Sequence, residues 1–529
     1  MGPEANIDAI QALEKQIEEG KGNIIKLKRD RNSLLNISTR VPPEILGHIF
    51  AWRLVRESPF QGLQKGSYSF LLVCHHWFEV ASRTPELWSF WGNTFQDWKK
   101  RHHRSGATPL DLVFDEWECD PDLFDESLQG AIRNRVKQDT IRRVHLLSGD
   151  PHTLASVISS LTPTDVGGRN ENIETIALYS EAPPTLDVSN FFARSHLSRL
   201  RSLELSGNLR ISSWDCLAHR TTLLTSLSLD INASSPSLRP TTAQLFSILT
   251  SNPDLQELLL SDTIIPDDAH TSTLKVQLGR LKFLSLAGDS RRLVRLMGQL
   301  ILPEMLDELS LTIFESTVED IAQSLAPYMR DYFRRDPRFQ NRLGVFSSSS
   351  SNSITISVGA VCTQTGVPFL ELPQVTLTTS TDRPLPNLLE QLFINLIALI
   401  PRERVVYFGV DVDVKPPEAV FSMIPSIEIL TIFRGLVSDG FLLPNPNGPH
   451  ANTKLLPSLR SLRLENVVFL NDNDWSPLTT YLAHQTTDGQ TILLVVIGNL
   501  PNGCLEVVKG IKGLVTKVAR KRYSALEDA

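Results

Sequence analysis

The side chains that could do chemistry in this sequence are few, and their spacing tells against each reaction in turn. His75-His76 and His102-His103 are adjacent pairs. Neighbours on a helix point about 100° apart, which suits neither a shared metal ion nor a proton relay. Thr491–Ile497 followed by Gly498-Asn-Leu-Pro-Asn-Gly503 reads as a strand entering a glycine-bounded loop, the beginning of a phosphate cradle. The Lys-Ser/Thr pair that would hold phosphate and magnesium is missing, so nucleotide binding is not expected. Asp411 and Asp413 share one side of an expected strand, but general acid–base work needs a further partner that the sequence does not supply. H-E-x-x-H, G-x-S-x-G and G-x-G-x-x-G are absent. Cys74, Cys119, Cys216, Cys362 and Cys504 stand far apart with no C-x-x-C or zinc spacing, which argues against a disulfide framework and a structural metal. No catalytic residue, metal or cofactor is expected, and the elements that organise the chain become the question.

The 529 residues carry 52 basic and 59 acidic side chains, a net charge of −7. With a mean hydropathy of −0.08, most of the chain can bury a core. The charge argues against a protein built mainly to coat nucleic acid, while leaving room for a local basic patch. Met1-Gly-Pro-Glu-Ala begins without the basic and apolar regions of a secretory signal, so none is expected. The most apolar runs, Leu388–Ile400 and Thr491–Ile497, fall short of the roughly 20 residues that cross a bilayer. A soluble protein of the cytoplasm, the nucleus or both, without a membrane partner, is the expectation.

Ile10, Leu13, Ile17, Ile24, Leu27 and Leu34 occupy a and d positions of one heptad register, with Gly20 and Arg31 in the two remaining slots. The spacing predicts an amphipathic helix over about 7–36, forming a short, imperfect coiled coil or packing on a neighbouring surface.

Residues 38–92 form a small helical module. Val41-Pro42-Pro43-Glu44 opens a helix, because prolines fit a first turn and an acid favours its positive end. Ile45, Leu46, Ile49 and Phe50 supply apolar positions, a polar stretch follows, and a second helix is expected from Phe70 to about Arg83. The module resembles an F-box through Val41-Pro42-Pro43-Glu44-Ile45-Leu46, Ile49-Phe50, Leu72-Val73-Cys74-His75-His76-Trp77 and Pro85-Glu86-Leu87-Trp88, in that order. It departs from the family in Val41 for leucine, in His75-His76 for a basic pair and in a long interhelical loop. With a heptad helix before it and repeats behind, it is most similar to F-box proteins of mushroom-forming fungi. The resemblance implies a helical bundle that docks a Skp-type adaptor and, through it, a cullin. Carried over by position, the adaptor-binding candidates are Val41, Pro42, Pro43, Ile45, Leu46, Ile49, Phe50, Leu72, Val73 and Trp77. Some of these could equally serve only the bundle's own core.

An L-x-x-L-x-L triplet then recurs as Ile141-Val144-Leu146, Ile173-Ile176-Leu178, Leu200-Leu203-Leu205, Leu224-Leu227-Leu229, Leu255-Leu258-Leu260, Leu281-Leu284-Leu286 and Leu306-Leu309-Leu311. It returns as Val405-Phe408-Val410, Ile427-Leu430-Ile432 and Leu459-Leu462-Leu464. The spacing is close to the roughly 20–29 residues of leucine-rich repeats. Strand alternation would turn Glu204, Asp230, Glu257, Glu308, Arg463 and Glu465 to one face, a candidate site for an unidentified target protein. The acids among them favour a basic partner, although ordinary solvated strand positions would look the same. No asparagine ladder stands out; only Asn208 lies near the expected place.

The expected fold class is α/β: an amphipathic helix over 1–37, an all-α F-box-like bundle over 38–92, a connecting segment over 93–135, and an irregular leucine-rich-repeat-like solenoid over 136–500. Near 339–383 an insertion interrupts it, with Ser347–Ser351 as a surface loop and two strands in a hairpin. A basic tail, 501–529, carrying Lys509, Lys512, Lys517, Arg520, Lys521 and Arg522, is expected to be a solvated helix. The resemblance implies a non-catalytic substrate-recognition adaptor of a ubiquitin ligase. A ligase-independent interaction scaffold is the alternative, and nucleic-acid binding through the tail is a third, less favoured reading.

Overall fold

In repeat after repeat the backbone makes one turn before entering its strand. In six of the triplets the opening amide donates to a carbonyl three residues back: Ile173 to Asn170 (3.3 Å), Leu200 to Leu197 (3.0 Å), Leu255 to Asn252 (3.2 Å), Leu281 to Leu278 (3.2 Å), Ile427 to Ile424 (3.4 Å) and Leu459 to Leu456 (3.2 Å). The two later triplet residues alternate inward along the strand. Every triplet side chain named above is at most 2% exposed, so burial of this one pattern accounts for the stacked core.

The computed structural model describes residues 3–35, 41–56, 69–91, 98–115, 126–148, 150–163, 170–181, 185–231, 239–261, 264–265, 275–314, 318–340, 343–349, 353–364, 367–370, 375–380, 394, 397–411, 418–433, 456–465, 491–497 and 514–519. They fall in two compact units, Met1–Cys216 and Leu217–Ala529.

The first unit begins with helices α1 (Pro3–Leu35), α2 (Pro43–Arg56) and α3 (His75–Ser82). Strands β1 (Phe90–Trp91), β2 (Leu110–Asp115), β3 (Ile141–Ser148) and β4 (Thr175–Ser180) follow, with helices α4 (Trp98–Ser105), α5 (Glu126–Lys137) and α6 (Pro151–Leu161) between them. β5 (Leu186–Asp187), β6 (Ser202–Gly207) and β7 (Leu209–Arg210) complete the unit. β1, β2, β3, β4 and β6 pair in parallel, and β5 pairs separately with β7. Helix α6 shows how the crossovers are fixed: the Asp150 carboxylate accepts from the amides of His152 (3.1 Å) and Thr153 (2.9 Å), with Pro151 in the first turn.

Two expectations for this unit need correction. Residues 93–135 are not a mere connector, because the sheet already starts at Phe90 and includes β2. Leu110, Leu112 and Phe114 fill inward positions there, with Leu110 opposite Ile141, while the exposed Pro109 stands three residues before Leu112, where other repeats place an aliphatic residue. The helix expected over Phe70–Arg83 is interrupted: a 3-10 turn at Ser69–Leu72 precedes an extended Cys74 (φ −161°, ψ 167°), and α3 starts only at His75.

The second unit holds β8 (Ser226–Ile231), β9 (Glu257–Leu260), β10 (Val276–Gln277), β11 (Phe283–Gly288), β12 (Leu300–Ile301), β13 (Glu308–Phe314), β14 (Leu343–Ser349) and β15 (Ser353–Gln364). It continues with β16 (Val367–Leu370), β17 (Val375–Ser380), β18 (Val405–Asp411), β19 (Ile429–Phe433), β20 (Ser461–Glu465), β21 (Ile492–Ile497) and β22 (Leu514–Ala519). Its main sheet runs β8-β9-β11-β13-β17-β15-β14-β18-β19-β20-β21-β22. The pairing is parallel except where β15 lies antiparallel to β14 and β17 and, at its far end, to β16. The irregular insertion is thereby built into the sheet, with Ile356 opposite Leu377 and Val358 opposite Val375.

The serine run is not a loop at its start. Ser347–Ser349 belong to β14, and Ser347 pairs with Ile356 on one side and Val410 on the other. Backbone hydrogen bonding on both edges outweighs the local preference of serine for turns. The C-terminal expectation also changes: residues 514–519 form a strand parallel to β21, not a solvated helix. Val515, Thr516 and Val518 are β-branched and suit that edge. Lys517 lies on this strand, while Lys509, Lys512, Arg520, Lys521 and Arg522 lie outside the described residues.

Candidate interaction surfaces

Helix α2 carries apolar side chains on two faces. Leu46 and Phe50 point into a core completed by Val80, Ala81, Leu87 and Trp88, with Val41, Ala51, Leu71 and Trp77 packed against it. The Phe50 and Trp77 rings lie 5.0 Å apart, and Trp88 Nε1 donates to Ala81 O at 2.8 Å. Gly47 permits the close approach of the loop after α3, since a β-carbon there would sit 2.8 Å from Thr84 Oγ1. The second face holds Ile45 and Ile49, each 51% exposed, and Trp52, at i, i+4 and i+7. Leu72 is 88% exposed, and Val73 and Phe78 are exposed as well. On a third side, a groove of ≈ 520 Å³ is lined by Glu44, His48, His76, Glu79 and Arg83 among others.

The adaptor-binding candidates therefore separate. Ile45, Ile49, Leu72 and Val73 are open to a partner, as are Pro42 and Pro43. Leu46 and Phe50 are 3% exposed and act as core, a correction that follows from their 100° offset around α2; Val41 and Trp77 are only partly open. Trp52 and Phe78 were missed by sequence reasoning, although the i, i+4, i+7 spacing from Ile45 would have found Trp52.

The repeat face can be followed across the second unit by strand register. Glu257 of β9, Phe283 of β11 and Glu308 of β13 stand side by side, and the next row places Leu259 beside Ser285 and Ser310. Phe283 and Leu259 are exposed, giving an aromatic ring between two carboxylates and an aliphatic side chain diagonal to it. Phe283 was overlooked because it stands directly before a core leucine. Asp230 is exposed on β8 and Arg463 half-buried on β20; the side chain of Glu465 lies outside the described residues.

In the first unit, Glu204 on β6 is half-buried, and that burial raises its pKa. A polar cluster unforeseen from sequence lies on β2 and β3. The register shifts between Leu110 and Asp111, letting both Arg142 and Arg143 reach one carboxylate. Arg142 donates from Nε (3.0 Å) and Nη2 (2.8 Å), and Arg143 from Nη2 (2.6 Å), to the buried Asp111. Beside them, His145 is buried and its pKa falls to about 4, first through desolvation and then through Arg143, against an opposing pull from Asp111.

The remaining chemical candidates do not converge. His75 Nδ1 is 3.6 Å from its helix neighbour Glu79, and burial, followed by Arg135 and His103, lowers the pKa of His102. The Asp411 side chain, Asp413 and Gly498–Gly503 lie outside the described residues. Among the described residues no three His, Cys, Asp or Glu side chains are placed to hold a metal ion, and no helix is long and apolar enough to cross a membrane.

These features define a leucine-rich-repeat-like α/β fold with helices at its N-terminal end. No family model matches the chain, and no curated protein matches it. Among solved structures it is similar to the complex of Rad7 and Elc1 from yeast, with 14% identity, 88% of this chain and 98% of that chain covered, and a TM-score of 0.29. An internalin (inlF) from Listeria monocytogenes is similar at 11% identity, over 77% of this chain and 78% of that chain, with a TM-score of 0.22. At those scores the likeness carries no argument about function.

Proposed function

We propose that this chain is a substrate-recognition adaptor of a Skp-cullin-F-box type ubiquitin ligase. The observation that carries the reading is the second face of α2: Ile45, Ile49 and Trp52 stay exposed although Leu46 and Phe50 already fill the module's own core. Large apolar side chains left in water beside a completed core favour a protein partner, and aromatic and aliphatic anchors are the side chains that dominate such contacts. The resemblance of residues 38–92 to an F-box names that partner as a Skp-type adaptor and, through it, a cullin. The repeat face would hold the target, with the Glu257-Phe283-Glu308 row suited to a lysine or arginine that meets carboxylates and a ring face together. The contribution is proximity: holding target and transferring enzyme on one scaffold raises their effective concentration.

Binding of the full chain to purified Skp-type adaptor tests this reading. Ile45→Asp with Ile49→Asp should weaken binding at least ~10-fold without lowering the melting temperature, because both side chains are already solvated. Phe50→Ala should instead destabilise the module by ~3–5 kcal/mol. Absence of wild-type binding, or binding indifferent to the double aspartate variant, would overturn the assignment. Adaptor binding without cullin recruitment would favour the ligase-independent scaffold.

A further inference from the structure

Helix α1 is the longest helix described, and among the described residues the middle of its apolar stripe is left exposed. Leu13, Ile17, Ile24 and Leu27 are 58%, 57%, 55% and 68% exposed. An isolated helix gains little from propensity alone, and Gly20 and Gly22 weaken this one further, so a packing partner is what would hold it. We propose that the partner is α1 of a second copy, paired antiparallel.

The two faults in the heptad pattern choose the direction. In a parallel pair, equivalent positions meet. Gly20 would face Gly20 and leave a void, and Arg31 would face Arg31 with like charges together. In an antiparallel pair, a positions meet d positions. Aligning Ile17 with Leu27 of the second copy sets Ile24 against Gly20 and Arg31 against Leu13. The isoleucine then enters the space that glycine leaves; nothing lies within 4 Å of a β-carbon built at Gly20. The aliphatic stem of Arg31 covers Leu13 while its guanidinium reaches water.

Charge at the flanking positions agrees. The same alignment brings Glu14 beside Lys28 of the second copy, twice by symmetry. At the centre Lys21 meets Lys21, and each is neutralised within its own helix by Glu18, whose carboxylate lies 3.0 Å from Lys21 Nζ. A parallel pair would set Glu14 beside Ala9 and Lys28 beside Asn23, where charge gives no direction. Two chains joined in this way would carry two helical modules and two repeat faces.

Sedimentation equilibrium of the full-length chain tests the proposal. The wild type should dimerise reversibly, and Ile17→Asp with Leu27→Asp should leave it monomeric, with helical signal lost from α1 alone and the melting temperature of the rest of the chain kept, since both positions are solvated in the single chain. Glu14→Lys and Lys28→Glu should each weaken the dimer about tenfold, because two attractive pairs become repulsive. An equimolar mixture of these two variants should regain wild-type affinity, because both pairs between positions 14 and 28 of unlike chains are then of opposite charge, as in the wild type. A wild-type monomer at tens of micromolar, a dimer indifferent to the aspartate pair, or charge variants without effect singly would each overturn it.

Discussion

The Asn252 side chain offers the sharpest test of how the repeats are held together. It is buried at the turn before β9, where its Oδ1 accepts from the Leu224 amide at 2.9 Å and its Nδ2 donates to Ile248 O at 2.8 Å. The link to Leu224 ties one repeat to its predecessor at a point where Leu224, Leu249 and Leu255 exclude water. Truncation to alanine leaves the Leu224 N–H without an acceptor, at about 1–3 kcal/mol, and forfeits the bond to Ile248, at about 1 kcal/mol more. Asn252→Ala should therefore cost ~3 kcal/mol in urea unfolding followed by far-ultraviolet circular dichroism. Hydrogen exchange localises the effect, since the peptide containing Leu224 should lose protection before its neighbours do. Asn208 is the control: it donates to Glu181 O at the surface, where water can replace it, and Asn208→Ala should cost less than ~1 kcal/mol. Equal losses for the two variants, or unaltered protection at Leu224, would refute the claim that buried asparagine links the repeats.

Two further perturbations probe the first unit. The folded protein keeps His145 neutral down to about pH 4, whereas the unfolded chain takes up a proton near 6.5, so the unfolded state binds more protons in that window. Stability should fall as pH drops from 6.5 to 4, by up to ~3 kcal/mol, and His145→Gln should flatten the dependence of melting temperature on pH; an identical slope in the variant would exclude His145 as its source. Gly207 has φ +82°, and a β-carbon there would collide with Ser180 O of the neighbouring strand, so Gly207→Ala should cost ~2 kcal/mol or more, and an unchanged melting temperature would contradict the fold at that point.

The repeats were legible because burial imposes a period that leucine and isoleucine record. What escaped was structure in which other residues fill the same slots. At β2 the exposed Pro109 stands where the triplet spacing puts its first residue, and Leu110 fills that slot opposite Ile141 through a register shift, although Leu112 and Phe114 keep the rest of the pattern. The asparagine signal was present but displaced. Asn170 and Asn252 both stand three residues before a triplet, whereas Leu197, Leu278, Ile424 and Leu456 fill that position elsewhere with buried apolar side chains; only a backbone turn common to both kinds makes them equivalent. The clustering of Arg142, Arg143 and Asp111 depends on a one-residue shift in strand register, which no spacing in a single strand can encode. Phe283 is an aromatic beside a core leucine, and only its partners Glu257 and Glu308, each about one repeat away, give it meaning.

The same reasoning decides what the helical module can be asked. Leu46 and Phe50 belong to a core containing Trp88, whose ring is also covered by the Arg104 guanidinium at 4.4 Å. Loss of adaptor binding after a change at either residue would report unfolding as readily as a lost contact. Ile45 and Ile49 sit one position away and make no comparable demand on the bundle. If apolar exposure on α2 were only an accident of a small module, polar residues there would be neutral for binding and favourable for solubility. A partner that buries this face predicts the opposite sign: binding lost, folding kept. The two faces of one helix thus separate stability from recognition, and a paired measurement at Ile49 and Phe50 distinguishes them where a measurement at either alone does not.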